Sequence, residues 1–483
     1  MNGIARYGAR VHNAREREIK FQVDEGFELP ELEGESLDAR TFTSTYYDTP
    51  DRRLATVDLT LRRRVENGRG VWQLKLPECD ARREIEAPGG PARPPDDIAT
   101  LLLALTRGRR LEAVAKLRTR RTGLRVSQER SQADVVVDEV AVLDARRVVD
   151  RFTEVEIEVI EGDDGSLDTV AKALRGAGAR GNGRLVPKVA RVVGPPPSGG
   201  GPTLAGEAEV LRDAIRSQLR ALLAHDPGTR LGTDAEGLHD MRVAVRRLRA
   251  ILKIAEPALD ETWARDLRDR LKWLAGELGP VRDLDVMVED LARELDALDE
   301  PDGPAGARIL RDLGARRGEA RSALVAALRS EPYLDLIDDL EQAARSPQVV
   351  GRVELEHWAT KAFKRLRRIA GPLDESAPDD DLHEARKAGK RARYAAELAE
   401  PIAGKAASRF VKESKRFQDL VGDHQDAVVA EDELRRLAQG RSSAAVLAVG
   451  RLIERRRHTR QESRGGYRRA WKRLEKAGRA AWT

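Results

Sequence analysis

The segment 194–203, Gly-Pro-Pro-Pro-Ser-Gly-Gly-Gly-Pro-Thr, divides this chain of 483 residues into two parts with different sequence periodicity. A run so rich in proline and glycine continues neither a helix nor a central strand. Before it, apolar residues alternate with period two in short runs. After it, they follow helical spacing in stretches rich in Ala, Leu, Arg and Glu. We therefore predict an α+β part at residues 1–194, a linker at 195–203 and an all-α part at 204–483.

Composition narrows the class of protein. Only 4% of the residues are aromatic and the net charge is just +5, which argues against a nucleic-acid partner. The single cysteine, Cys79, excludes a disulfide framework and a cysteine zinc site. No segment is long and apolar enough to span a membrane, and residues 1–15 lack the apolar core of a signal peptide. We expect a soluble protein of the cytoplasm.

Charged side chains recur on one face of successive predicted strands. Glu16, Glu18 and Lys20 alternate with Ile19 and Phe21, so the charges share one face. These faces either form a solvated outer surface or, if the sheet closes into a barrel, line one lumen. Buried charges need partners, and a triphosphate carrying Mg²⁺ or Mn²⁺ brings both signs. The same alternation holds for Arg62 and Arg64, Lys75, Glu84 and Glu86, Lys116 with Arg118 and Arg120, Asp138, and Glu154 with Glu156 and Glu158.

This N-terminal part resembles the CYTH family, the triphosphate tunnel metalloenzymes. The resemblance rests on Glu16-x-Glu-x-Lys, Tyr46-Tyr-Asp-Thr-Pro, the basic strand that begins at Leu59, Trp72-Gln-Leu-Lys-Leu-Pro and the later acidic strands, all in the family's order. It covers about residues 14–194. It implies an eight-stranded antiparallel β tunnel with flanking helices, which binds triphosphate compounds and hydrolyses most of them with a divalent metal.

The resemblance also implies roles for residues that match the family's motifs. Glu16, Glu18 and Lys20 would be catalytic. The implied metal ligands are Glu16, Glu18, Glu156 and Glu158, with Asp138 assisting. The implied phosphate-binding set is Lys20, Arg62, Arg64, Lys75, Glu84, Arg118, Arg120 and Lys188. Glu86 is the in-phase alternative to Glu84, and Lys116 and Glu154 are expected at the tunnel mouth.

An internal repeat marks the helical part. Leu238-His-Asp-Met-Arg recurs as Leu382-His-Glu-Ala-Arg, an offset of 383 − 239 = 144 residues. In each copy a basic residue follows the first four positions of the apolar seam, which makes a continuous cationic ridge: His239, Arg242, Arg246 and Arg249, and then His383, Arg386, Lys390 and Arg393. The fifth position is followed by Lys253 in the first copy and by Glu397 in the second, so the two ridges are not equally basic. Such a ridge is either an ordinary solvated helix face or an anion site. Like charges at this spacing destabilise a helix unless an anion neutralises them, which favours the anion site.

The helical part resembles the CHAD domain family over about residues 204–483. Besides the two copies above, the resemblance rests on Leu278-Gly-Pro-Val-Arg-Asp and Leu420-Val-Gly-Asp-His-Gln-Asp. It implies a pseudosymmetric, duplicated helical bundle whose basic cavity binds inorganic polyphosphate through those eight ridge residues. Lys272 and Lys415 are secondary candidates. The basic stretch from Arg455 to Arg473 is either an outer helix or a further anion contact.

Together, the two resemblances imply an inorganic triphosphatase that depends on Mg²⁺ or Mn²⁺ and is joined to a polyphosphate-binding domain. Its expected partners are tripolyphosphate and polyphosphate, with cytoplasmic location at polyphosphate granules as a further expectation. Two alternatives remain: a non-catalytic polyphosphate-binding or sensing protein and, in third place, an adenylate cyclase. The sequence leaves open whether the protein is a homo-oligomer.

Overall fold

The computed structural model describes residues 12–78, 81–128, 131–162, 168–181, 187–197, 200–233, 235–296, 303–440 and 443–482. The chain divides into two compact units. One consists of Met1–Gly199 with Leu223–Leu231, and the other of Gly200–Leu222 with Gly232–Thr483.

The first unit contains a closed antiparallel barrel of eight strands, in the spatial order β1-β5-β4-β3-β2-β6-β7-β8. The predicted eight-stranded antiparallel tunnel is therefore confirmed. The strands are β1 (His12–Val23), β2 (Glu35–Asp48), β3 (Thr60–Glu66), β4 (Arg69–Pro77), β5 (Arg82–Pro88), β6 (Glu112–Gln128), β7 (Ser131–Asp144) and β8 (Arg147–Glu161).

Short helices flank this barrel: α1 (Arg53–Thr56), α2 (Asp96–Leu101), α3 (Leu103–Thr106), α4 (Asp168–Gly176) and α5 (Lys188–Val193). The outward apolar side chains of β1, β7 and β8 form a core with α4. Phe21, Val135 and Ile157 pack there against Val170 and Leu174. Because side chains alternate along a strand, this outer core turns Lys20, Glu156 and their in-phase neighbours into the barrel.

A second apolar cluster closes one end of the barrel from inside. Tyr46, Leu117, Val140 and Phe152 are buried together, and Val189 of α5 packs on them. This cluster sets which residues of β2, β6, β7 and β8 point inward. It also positions α5 so that Lys188, its first residue, is buried within the barrel.

The rest of the chain is helical, as predicted: α6 (Glu207–Leu231), α7 (Ala235–Ile254), a 3-10 turn (Glu256–Ala258), α8 (Glu261–Asp296), α9 (Gly303–Arg329), α10 (Glu331–Arg345), α11 (Leu355–Ala370), α12 (Asp379–Ala438) and α13 (Ser443–Trp482). A kink at Gly404 breaks α12 into two helices. That the helical part is an internal duplication stays a prediction. Every helix among the described residues is too short or too polar to cross a lipid bilayer.

The apolar seams predicted for the two repeat helices lie in the core. On α7 they are Leu238, Met241, Val245, Leu248 and Leu252, and on α12 they are Leu382, Ala385, Gly389, Ala392 and Ala396. The basic residues after the first four positions of each seam, which are the eight ridge residues, therefore lie at the edge of the core. All eight ridge residues are half-buried.

Candidate active site and anion-binding ridges

The barrel encloses a cavity of about 380 Å³ that is lined mainly by charged side chains. Among the described residues, nine cationic and five acidic side chains line it, so the cavity favours an anion while keeping a local acidic region. The charged lining residues are Arg17, Glu18, Lys20, Arg40, Arg62, Arg64, Lys75, Arg82, Glu84, Glu86, Arg121, Glu156, Glu158 and Lys188.

Three of the predicted metal ligands meet at one side of this cavity. Carboxylate oxygens of Glu18, Glu156 and Glu158 lie within 4.8 Å of one another, on the adjacent strands β1 and β8. Glu18 and Glu156 are buried, and Glu158 is half-buried. Clustered carboxylate oxygens are the donors that Mg²⁺ and Mn²⁺ prefer, so this trio fits a divalent metal ion. The backbone of Glu16 lies in β1, but its side chain falls outside the described part of the structure.

Two lysines balance these acids. Lys20 Nζ lies 2.6 Å from Glu156 and 3.3 Å from Glu18. Burial alone would lower the pKa of Lys20, but the Glu156 and Glu18 carboxylates outweigh it and hold that pKa above its ordinary value. Lys188 Nζ lies 2.6 Å from Asp138 and 2.8 Å from Glu156. Both lysines are therefore charged at neutral pH.

Arg121 of β6 is a site residue that the sequence reasoning missed. Its guanidinium donates to Asp138 at 2.7 and 2.8 Å, to Glu156 at 2.8 Å and to Glu158 at 2.6 Å. Burial would raise the pKa of Glu156, but Lys188, Lys20 and Arg121 hold that pKa well below its usual range. For Asp138, Lys188 and Arg121 likewise outweigh burial, and its pKa is lowered. Both acids are therefore ionised and able to act as ligands.

A cationic wall lies across the barrel from the carboxylate trio. In the order of strands, β3 and β2 are opposite β1 and β8. Arg62 and Arg64 of β3 face the cavity, and Lys75 of β4 lies next to them. Their contacts include neutral groups and acids outside the carboxylate trio. Arg62 Nε donates to Gln73 at 2.6 Å, Lys75 is 3.2 Å from Glu84, and Arg64 is 3.9 Å from Glu86.

The structure corrects the predicted placement of Arg118 and Arg120. Both are exposed on the outer face of the barrel, where Arg120 pairs with Glu139 at 3.2 Å. Lys116 is exposed there too, and neither it nor the two arginines line the cavity. The reason is the phase of β6: Leu117 packs into the closed end of the barrel, so the odd-numbered residues point inward. Glu154, expected at the mouth, is instead buried 3.5 Å from Lys188.

The sequence contained a signal for this phase. Leu124 and Val126, two apolar residues of β6 further along the strand, belong to the outer core beneath α4. They share their face with Arg118 and Arg120, so that face had to point outward.

Sequence reasoning missed Arg40 as a cavity-lining residue for another reason. A register shift between Leu37 and Arg40 in β2 interrupts the alternation that sequence reasoning relies on.

In the helical unit, the two predicted ridges meet. Arg246 Nε of α7 donates to Tyr394 Oη of α12 at 3.1 Å. Arg247 of α7 lies 3.8 Å from Glu397 of α12, which also pairs with Arg393 at 3.4 Å. Glu397 thus places one acid between the two ridges. Helices that are 144 residues apart in sequence therefore form one cationic surface, which we call the ridge pair.

Each ridge has matching contacts further along the chain. Arg242 pairs with Asp283 at 2.8 Å, and Arg386 pairs with Asp426 at 3.2 Å. Among the described residues, the buried Nε atom of Arg386 makes no hydrogen bond. A buried donor without an acceptor is unfavourable, so an anion at this surface would satisfy it.

The remaining ridge residues are partly desolvated. Burial, with Arg386 and Arg246 as neighbours, lowers the pKa of Lys390 to about 8. Burial also lowers the pKa of His239 and, together with Arg268, that of Arg249. His383 Nδ1 lies 2.8 Å from Gln425 Oε1. Of the secondary candidates, Lys272 and Lys415 are both exposed.

Comparison with known proteins matches both parts of the chain. The CYTH domain family model matches residues 14–180, and the CHAD domain family model matches residues 213–435. Two uncharacterized proteins of Mycobacterium tuberculosis, from strains CDC 1551 / Oshkosh and ATCC 25618 / H37Rv, are each 31% identical over 514 residues. Each alignment covers 96% of this chain and 97% of the relative.

Three solved structures are among those that resemble parts of this chain. PptA from Streptomyces chartreusis has a TM-score of 0.46 and 23% identity, over 55% of this chain and 98% of that one. The CHAD domain from the plant Ricinus communis has a TM-score of 0.45 and 24% identity, over 58% and 96%. A Hippeastrum protein described as an adenylyl cyclase with a dominant triphosphatase activity has a TM-score of 0.24 and 17% identity, over 36% and 93%.

The full-length relatives and the two matched family models agree with the barrel and the helical unit described above. The chain belongs to the family of proteins in which a CYTH domain is followed by a CHAD domain.

Proposed function

We propose that the barrel hydrolyses inorganic tripolyphosphate with the help of a divalent metal ion, and that the ridge pair binds polyphosphate. The observation that carries the first half is the division of one cavity into two walls. Glu18, Glu156 and Glu158 form an acidic wall, and Arg62 and Arg64 face them from across the barrel. A metal-bound triphosphate has the matching charges, because its metal ion is positive and its phosphate oxygens are negative.

The reaction needs neutralised phosphate oxygens and an aligned water more than it needs a covalent nucleophile. Water attacks the terminal phosphorus, the bond to the bridging oxygen breaks, and phosphate and pyrophosphate are the products. A Mg²⁺ or Mn²⁺ ion held by the trio would neutralise phosphate oxygens and make bound water more acidic. Arg62, Arg64 and Lys75 bind and orient the phosphate chain by charge-assisted hydrogen bonds.

The contacts within the cavity support this division of roles. Arg62, Arg64 and Lys75 are held by an amide and by two acids that are not part of the trio. An incoming phosphate can replace such partners without disturbing the carboxylates. Arg121, Lys20 and Lys188, by contrast, all contact Glu156 and keep that acid ionised. In the metal-free protein they neutralise the acidic wall, and a bound metal ion would take over part of that role.

Phosphate release from tripolyphosphate, measured with the full-length protein and Mg²⁺ or Mn²⁺, tests the proposal. Glu156→Gln removes a buried oxygen ligand, and we expect the rate to fall on the order of a hundredfold or more. Glu139→Gln, on the outer face of the neighbouring strand, is the matched control and should keep the wild-type rate. Metal-independent release, or a Glu156→Gln variant as active as the control, would contradict the proposal.

The proposed polyphosphate binding by the ridge pair rests on the unsatisfied Nε atom of Arg386 and on the clustered like charges around Lys390. Titration of the full-length protein with polyphosphate should show tight binding that Arg246→Gln combined with Arg386→Gln weakens at least tenfold. The control is Arg308→Gln combined with Arg311→Gln, two exposed arginines of α9. Equal binding by both double variants would place the polyphosphate site elsewhere.

A further inference from the structure

An acidic side chain lies where the two ridges meet. The carboxylate of Glu397 in α12 is 3.4 Å from Arg393 of the same helix and 3.8 Å from Arg247 of α7. Glu397 follows Arg393 by four residues, so it continues the line of ridge residues along α12. An anion bound by the ridge pair would therefore meet a carboxylate within its own site.

The corresponding position of the first repeat copy carries the opposite charge. Lys253 of α7 precedes Glu397 by 397 − 253 = 144 residues, which is the offset between the two copies. Lys253 is exposed and pairs with Glu256 of the 3-10 turn. A cation is thus compatible with this position of the repeat, so helix packing alone does not account for the acid in the second copy.

Glu397 is held only by ion pairs. The contact with Arg247 is too long for a hydrogen bond, and Oε1 of Glu397 accepts no hydrogen bond from any described residue. A buried carboxylate oxygen without a donor has lost its hydration and gained no hydrogen bond in return. The ion pairs offset only part of that cost, so a ligand that brings its own anionic oxygens can replace this carboxylate.

The cations that Glu397 occupies can also serve such a ligand. Arg247 and Arg393 are half-buried, so part of each side chain is reachable from solvent. The guanidinium of Arg393 lies over the ring of Tyr394, 5.0 Å from its centroid, and Tyr394 Oη accepts the hydrogen bond from Arg246. Because the ring supports Arg393 independently of Glu397, a phosphate oxygen can take the place of the carboxylate without a rearrangement of this arginine.

The acids that pair with the other ridge residues are more exposed. Asp283 and Asp426, the partners of Arg242 and Arg386, have side chains that are 65% and 72% exposed, whereas that of Glu397 is 20% exposed. Water and salt screen exposed ion pairs strongly. Glu397 contacts cations of both helices and is screened less, so its charge should oppose a bound anion more than theirs.

We propose that Glu397 is an internal competitor of polyphosphate, whose carboxylate occupies Arg247 and Arg393 until a phosphate group displaces it. This inference rests on the proposed polyphosphate binding by the ridge pair and adds a limit on its affinity. The carboxylate keeps binding weaker than the cations alone would allow. Because it can return to both arginines, it also favours release of the bound chain.

The full-length variant Glu397→Gln tests the proposal, since it removes the charge and keeps the size of the side chain. Titration with long-chain polyphosphate should show about fivefold tighter binding than the wild type, mainly through slower dissociation. The slope of log affinity against log salt should become steeper by about 0.7 for each freed arginine that neutralises a phosphate.

Two controls separate competition from a general effect of charge. Glu475→Gln removes another half-buried glutamate, which pairs with Arg479 of its own helix α13 at 2.7 Å, and should leave the affinity within about twofold of the wild type. In a protein that already carries Arg247→Gln and Arg393→Gln, the change Glu397→Gln should have an effect of less than about twofold, because no occupied cation is left to free.

Thermal melts provide a readout that a purely structural ion pair would not change in the same way. Polyphosphate that binds the folded protein raises the thermal midpoint by an amount that grows with affinity. At one polyphosphate concentration, the midpoint of Glu397→Gln should therefore rise more than that of the wild type. This comparison holds even if the variant melts at a lower temperature without ligand.

Unchanged or weaker binding by Glu397→Gln would overturn the proposal and leave Glu397 as an ion pair that joins α7 to α12. A gain of the same size in the background without the two arginines would also overturn it. If the wild type binds polyphosphate and the variant gains nothing, this inference alone fails. If neither protein binds polyphosphate, the proposed function of the ridge pair fails with it.

Discussion

Arg121 shows how much of the barrel's charge balance depends on a single side chain. It contacts Asp138, Glu156 and Glu158, and Asp138 is fully buried. Removing one partner from a buried ionic network leaves charges that are neither solvated nor paired. Arg121 therefore does for the metal-free protein part of what a divalent cation would do for the loaded one.

We predict that Arg121→Gln lowers the free energy of unfolding of the metal-free protein by about 3 kcal/mol. Mn²⁺ should recover more of the thermal midpoint in the variant than in the wild type, because it replaces the lost positive charge. Denaturant unfolding and thermal melts with and without Mn²⁺ measure both effects. Arg118→Gln, an exposed residue of the same strand, is the control and should change the unfolding free energy by less than about 0.5 kcal/mol.

Lys390 is a residue whose charge should change within the range of ordinary binding assays. Burial and the neighbouring Arg386, Arg246 and Arg393 lower its pKa to about 8, and Asp426 opposes them. The ammonium form is present below that pKa and is lost as pH rises through it. A bound polyanion favours the ammonium form, so binding should take up a proton near pH 8.

The expected result is that polyphosphate affinity falls up to about tenfold between about pH 7 and pH 9. Lys390→Arg should flatten this dependence, since a guanidinium stays protonated throughout. His239 does not interfere because its lowered pKa leaves it neutral over this interval. Calorimetric titration in buffers of different ionisation enthalpy measures the proton uptake, and a pH dependence that survives in Lys390→Arg would contradict the assignment.

At the scale of elements, sequence reasoning succeeded where the apolar pattern was regular. The alternation of Ile19 and Phe21 with charged residues placed Glu18 and Lys20 in the barrel, and the seam of α7 placed Arg246 beside the core. Both inferences use the period of a single element. The closure of the barrel, in contrast, depends on pairing between strands that are distant in the chain, such as β2 with β6.

The predicted inner face of β6 was wrong because this strand carries charged residues on both faces. Lys116, Arg118 and Arg120 lie on one face and Arg121 on the other, so local charge does not identify the inner face. Tertiary packing of Leu117 at the closed end, and of Leu124 and Val126 beneath α4, decides the phase. The apolar residues Leu124 and Val126 fix the inner face of β6 only once it is known which element covers them.

The kink in α12 gives a prediction at the same scale. Gly404 has φ of 69° and ψ of −151°, a conformation that is essentially limited to glycine. A Cβ at this position would meet no neighbouring atom, so any effect of Gly404→Ala comes from the backbone alone. We expect the variant to lose about 1–3 kcal/mol of unfolding free energy.

Gly465 in α13 provides the matched control. It too has open space around the position of a Cβ, but it lies within a regular helix without a positive φ. Gly465→Ala should therefore stabilise the protein by about 0.5–1 kcal/mol. Urea unfolding measures both variants, and equal shifts of the same sign would show that the backbone at Gly404 is not restrictive.

On the scale of the whole molecule, one chain carries the two proposed anion sites, one in each of its compact units. The tunnel cavity suits a short, metal-bound phosphate chain, and the ridge pair suits a long one. Linking two sites in one chain raises the local concentration of a bound polymer at the second site. If the polymer held by the ridge pair is also a substrate of the tunnel, hydrolysis of long chains should depend on both units, whereas hydrolysis of tripolyphosphate should depend on the tunnel alone.

We therefore predict that Arg246→Gln combined with Arg386→Gln leaves kcat/KM for tripolyphosphate within about twofold and raises KM for long polyphosphate about tenfold. Glu156→Gln should show the reverse pattern: hydrolysis of both substrates is lost, while binding of long chains is kept. Steady-state phosphate release measures kcat/KM for tripolyphosphate and KM for long polyphosphate, and equilibrium binding on the same preparations measures the affinity for long chains. A polyphosphate chain that is bound by both units should bind more weakly when the ridge residues are changed. Equal KM values for long chains in the wild type and the ridge variant would therefore mean that the two units act on separate polyphosphate molecules.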